Sequence, residues 1–74
     1  MIKPGKYKYV GNQFITMYRP SARYTYAFRK GDTIKVIERL TTIQPETYAV
    51  MFNGHIYHIR KWKIEQCFEK VRDE

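Results

Sequence analysis

The sequence predicts a small, mostly β domain that closes with a short helical turn. Polar and aromatic residues alternate with period two at Lys6–Val10 and Arg23–Arg29, Asn53-Gly54 separates two β-prone runs, and the C-terminal stretch changes to a helical spacing. At 74 residues the chain has room for a single domain, residues 1–74. With 43% hydrophobic and 16% aromatic residues it is too apolar for a disordered basic tail.

The elements follow in order. Lys6-Tyr7-Lys8-Tyr9-Val10 and Arg23-Tyr24-Thr25-Tyr26-Ala27-Phe28-Arg29 alternate as strands do. Successive strand side chains point to opposite faces, so the aromatic residues (Tyr7, Tyr9, Tyr24, Tyr26, Phe28) fall on one side and the cations (Lys6, Lys8, Arg23, Arg29) on the other. Gln13 to Tyr18 is β-prone between turn signals at Gly11-Asn12 and Pro20-Ser21, and reads as a strand between those two. Lys30-Gly31-Asp32 is a turn into the β-branched run Thr33 to Leu40, and Thr41 to Glu46, with Pro45, is a loop.

Asn53-Gly54 is the preferred pair for a two-residue type I′ hairpin, and it sets the register of Thr47–Phe52 against His55–Ile59. Phe52 then faces His55, Val50 faces Tyr57 and Tyr48 faces Ile59 on the core side, while Met51 faces Ile56 and Ala49 faces His58 on the other. Ile64, Cys67, Phe68 and Val71 make a stripe at i, i+3, i+4, i+7, which suits either a short helix or a turn leading into a final strand. On that stripe Cys67 reads as a small core residue.

Phe28-Arg29-Lys30-Gly31-Asp32-Thr33-Ile34-Lys35-Val36 resembles the Phe-x-Lys-Gly-Asp-x-Ile-x-Val pattern at which SH3 domains leave their first long loop and enter their second strand. The hairpin at Asn53-Gly54, the turn or helix near Trp62 to Phe68 and the closing Glu69-Lys70-Val71 extend the likeness over residues 28–71. The resemblance implies an SH3-like, partly open barrel. Proline-peptide recognition is not expected of it, because residues 1–31 carry no acid and Glu46-Thr47-Tyr48 stands where such domains usually have a tandem Trp. Lys30 to Val36 is also similar to the opening of the KOW motif of ribosomal and transcription proteins, without the glycines that follow there.

The charge pattern bears on function. Lys and Arg total 14 against 7 Asp and Glu, a net charge of +7, and the first carboxylate in the chain is Asp32. Cations interleave with aromatic residues at Lys6 to Tyr9, Tyr18-Arg19, Arg23 to Tyr26 and Arg60 to Lys63. Lys and Arg neutralise phosphates with counterion release, and exposed rings stack on bases, so this mixture suits nucleic acid, DNA or RNA. The candidate binding residues are Lys6, Lys8, Arg19, Arg23, Arg29, Lys30, Arg60, Lys61, Trp62 and Lys63. If the strand aromatics instead fill the core, only the cations reach the ligand. Trp62, off the apolar stripe, either stacks on a partner or caps the barrel.

The alternative is a protein-interaction module, for example a phage or mobile-element accessory protein that modulates a host enzyme. No nucleophile elbow, phosphate-cradling glycine loop or close carboxylate pair is present, and so small a domain leaves little room for a deep pocket, so no enzyme, catalytic residue or cofactor is expected. His55 and His58 fall on opposite faces of their strand, which makes a metal site unexpected. One cysteine, no long apolar run and no apolar leader point to a cytoplasmic chain that does not enter a membrane.

Overall fold

The computed structural model describes residues 2–72. Its elements are β1 (Gly5–Tyr9), β2 (Thr16–Arg19), β3 (Tyr24–Ala27), β4 (Thr33–Leu40), β5 (Thr47–Phe52), β6 (His55–Arg60), α1 (Lys61–Cys67) and β7 (Phe68–Lys70). The strands form one antiparallel sheet in the order β3-β2-β6-β5-β4-β1-β7. This is the mostly β, partly open arrangement with a short C-terminal helical turn that the sequence predicts, and β3 and β7 are its edges.

The hairpin forms as expected. Asn53 and Gly54 take φ of 51° and 78°, the left-handed values a type I′ turn requires. The pairs Phe52–His55, Val50–Tyr57, Tyr48–Ile59, Met51–Ile56 and Ala49–His58 are the ones the turn specifies. Tyr48, Val50, Phe52, Tyr57 and Ile59 are buried, so the core lies on the expected face. β4 serves two neighbours: Thr33–Val36 pair with β1, and Lys35–Leu40 with β5. A register shift between Val36 and Glu38 bends the strand there and turns Ile37 outward.

Because β3 and β7 do not pair, the open side is closed by rings. Phe28, just past β3, lies 5.0 Å from Phe68 at the start of β7 and 5.6 Å from Tyr9. Tyr26 stands 4.8 Å from Phe52. Backbone bonds extend the ladders of β1 with β7 and β4: the Val10 amide donates to the Cys67 carbonyl at 3.0 Å and the Tyr9 amide to the Asp32 carbonyl at 2.8 Å. Tyrosine hydroxyls at the rim of the core find acceptors, Tyr7 on the Lys3 carbonyl at 2.7 Å and Tyr26 on Asp32 Oδ2 at 2.6 Å.

Several expectations need correction. The strand expected over 13–18 covers only Thr16–Arg19 and pairs with β3 and β6, not with β1. β3 is shorter than the alternation suggested, with Arg23 in the preceding turn at φ 50° and Phe28 and Arg29 beyond its end. Tyr24 is exposed rather than core. Both readings of the C-terminal stripe are realised in succession: Ile64 and Cys67 anchor α1, and Phe68, already extended at φ −126°, opens β7.

Candidate functional site

The sheet order separates the candidate cations into groups. Lys6 and Lys8 project outward from β1, opposite the face of Tyr7 and Tyr9. Lys6 stands across the ladder from Lys35, a residue the sequence reading did not single out, and Lys8 stands between Thr33 and Glu69. Four strands lie between β1 and β3 in the sheet, so these lysines do not share one strip with Arg19 and Arg23. Arg29 and Lys30 are exposed in the turn before β4, where the Arg29 amide donates to Asp32 Oδ2 at 2.9 Å.

The other candidates lie on β2, the β2–β3 turn, β6 and α1, on both faces of the sheet: Tyr18 pairs with Thr25 and so points away from Arg19 and Tyr24. Arg23 sits in the turn between the two strands and Arg19 faces Tyr24 across their ladder. The Arg19 Nε is buried without a hydrogen-bond partner among the described residues. Tyr18 (43% exposed), Tyr24 (50%) and Trp62 (41%) offer their rings to solvent. α1 has no side-chain cap at its start, and at seven residues it is too short to be stable alone. The buried Ile64 and Cys67 therefore fix it, and through it they place Trp62 and Lys63. Burial pushes the Cys67 thiol up from its ordinary range. Lys61 pairs with Glu65 at 3.9 Å, one turn along.

Arg60 and Lys63 converge on a groove of about 400 Å³ across the outer side of β2 and β6. Thr16, Tyr18, Thr25, Thr47 and His58 contribute to its lining, and no carboxylate does. Both cations are held by uncharged acceptors. Lys63 Nζ donates to the Thr16 carbonyl at 2.7 Å, and Arg60 Nη1 donates to Thr47 Oγ1 at 2.8 Å and the Pro45 carbonyl at 3.2 Å. Burial, with the charge of Arg60 nearby, holds the Lys63 ammonium below its ordinary pKa. Lys63 Nζ also stands 5.8 Å from the centroid of the Trp62 ring.

Thus the structure brings Arg60 and Lys63 to a groove beside β2, with Trp62 next to Lys63, and leaves Arg19, Arg23, Lys6, Lys8, Arg29 and Lys30 outside it. Sequence reasoning noted Tyr18 beside Arg19 without counting it among the binding residues, and missed the threonines and His58 as parts of the groove. Only the pairing of Tyr18 with His58 across β2 and β6, a contact between distant segments, could have revealed them. Among the described residues no cluster of His, Cys, Asp and Glu is arranged to hold a metal ion, and no helix is long and apolar enough to cross a membrane. Comparison with protein-family models, curated proteins and solved structures finds no match for this chain.

Proposed function

We propose that this chain is a binding module for single-stranded nucleic acid with little sequence preference, and that it uses the outer side of β2 and β6 together with α1. One observation carries the reading: on the outer side of β2 and β6 the exposed ring of Tyr18 shares a groove with Arg60 and Lys63, neither of which forms an ion pair among the described residues, and Lys63 lies beside the exposed Trp62 ring. Rings supply stacking of about 1–3 kcal/mol per base, which is tolerant of sequence because every base has a π-face. Cations track the phosphates and make binding depend on salt. The lysines of β1, with Lys35, add a separate basic strip that raises local attraction for a polyanion.

The test is a titration of a labelled oligothymidylate of about eight nucleotides, followed by anisotropy across a salt series. The reading expects affinity to fall as salt rises, and Trp62→Ala to weaken binding at every salt concentration. Salt-independent binding, or none at low ionic strength, would remove it.

A second reading, a protein-docking module, is favoured by a different surface. Ile37, Met51 and Ile56 are exposed large apolar residues, and Met51 faces Ile56 across the hairpin. A hollow of about 540 Å³, bordered by Pro4, Val36 and Met51, adjoins them. Partner capture that survives nuclease and is lost in Met51→Glu would favour this reading.

A further inference from the structure

We propose that the groove between Arg60, Lys63 and Tyr18 is a nucleotide subsite, holding one nucleoside monophosphate unit with its phosphate on the two cations and its base against the Tyr18 ring. The inference rests on the nucleic-acid reading and identifies where that face grips a single residue of the strand.

The groove's volume, about 400 Å³, lies within the roughly 300–1,000 Å³ of small-molecule sites. Its chemistry is divided as a nucleotide's is. Lys63 and Arg60 supply the charge, and their positions are set by the Thr16 and Pro45 carbonyls and the Thr47 hydroxyl rather than by a carboxylate. Each keeps donors in reserve: Lys63 Nζ makes one hydrogen bond, and the Nε and Nη2 hydrogens of Arg60 make none among the described residues. A phosphate anion, the singly charged diester of a strand or the monoester of a free nucleotide, matches that set, because an ionised acceptor forms stronger, shorter bonds to such donors than a neutral one does.

Holding two cations together in a partly desolvated groove is unfavourable, and an anion in the groove relieves the repulsion. Tyr18, its ring exposed, offers the base an apolar surface, and the side chains of Thr16 and Thr25 offer hydroxyls on the sugar side. An acidic side chain would satisfy the cations but would leave the ring and the hydroxyls unused.

The test titrates the full chain with adenosine 5′-monophosphate, adenosine and inorganic phosphate, reading Trp62 fluorescence and backbone amide shifts. The monophosphate is expected to shift Thr16, Thr47, His58 and Lys63 saturably, adenosine to leave them in place, and inorganic phosphate to reach the same residues more weakly. Lys63→Gln should lower affinity by about tenfold, the worth of one hydrogen bond to a charged group. Lys63 also ties α1 to β2, so Tyr18→Ala, which alters an exposed ring, provides an independent variant and should weaken the nucleotide but not inorganic phosphate. Equal responses to adenosine and its monophosphate, or affinity unchanged in both variants, would overturn the subsite. Strand binding that persists while the monophosphate leaves the groove unshifted also overturns it and leaves the wider interface standing. Saturable monophosphate binding without strand binding would support the subsite and overturn the interface.

Discussion

Replacing Ile64 by Ala tests how the helix that carries Trp62 and Lys63 is held. Ile64 is 1% exposed and, with Cys67, is one of the two residues α1 buries. Truncation to Ala removes three carbon groups, about 2.4 kcal/mol at about 0.8 kcal/mol per buried methylene. The cavity left behind raises the loss to about 3–4 kcal/mol, within the range of measured Ile→Ala changes. A domain of this length has about 4–11 kcal/mol of total stability at about 0.05–0.15 kcal/mol per residue, so this one change consumes a large part of it. For a domain of about 60–100 residues each kcal/mol is worth about 4–8 °C, which gives a fall in Tm of about 12–30 °C. The assay is urea unfolding followed by far-ultraviolet circular dichroism and Trp62 fluorescence. Glu65→Gln on the exposed side of α1, which removes only the Lys61 ion pair, is the control and should cost under about 0.5 kcal/mol. A loss below about 1 kcal/mol in Ile64→Ala would refute the claim that burial of this side chain pins the helix.

Gly54→Val should destabilise by more than about 1 kcal/mol through backbone strain alone, since φ is +78° there and a Cβ would meet nothing within 4 Å; an unchanged denaturation midpoint would contradict this. Cys67 is fully buried and its thiol is pushed up by burial, so a thiol reagent should react slowly in native buffer and quickly in denaturant; equal rates would show that the stripe is not packed. The hydrogen bond to Asp32, with burial and the carboxylate's charge adding to it, pushes the Tyr26 phenol up to about 12. A folded-state pKa above the unfolded value near 10 means that this contribution is complete below pH 10 and is lost as pH rises from about 10 towards about 12. Tyr26→Phe should therefore lose less stability than the wild type over that window, and identical slopes would remove the assignment.

Local chemistry explains why some of this was legible in the sequence. A type I′ turn with two residues leaves only one register, so Asn53-Gly54 determined every pair from Phe52–His55 to Thr47–Arg60 and the buried face with them. The alternation at Lys6 to Tyr9 reported its faces correctly for the same period-two reason. Around Arg23 the alternation misled, because a residue at φ 50° breaks the strand and ends the rule of opposite faces. At the C-terminus the stripe was right about burial and undecided about conformation, since Ile64 and Cys67 reach the core from a helix and Phe68 from a strand. The groove was not legible. Thr16, Thr47, Arg60 and Lys63 come from separate elements, and no local pattern signals that Lys63 reaches back to the Thr16 carbonyl. Nor does one signal that Lys6 faces Lys35, which depends on β1 pairing with β4 rather than with β2.

The most direct test of the central claim is an amide shift map of the full chain with an oligothymidylate of about eight nucleotides at low salt. The account predicts that the largest shifts fall on β2, β6, and Trp62 and Lys63 of α1, with smaller ones at Lys6 and Lys35. Shifts centred on Met51, Ile56 and Ile37, or a spectrum unchanged at saturating strand, would contradict it.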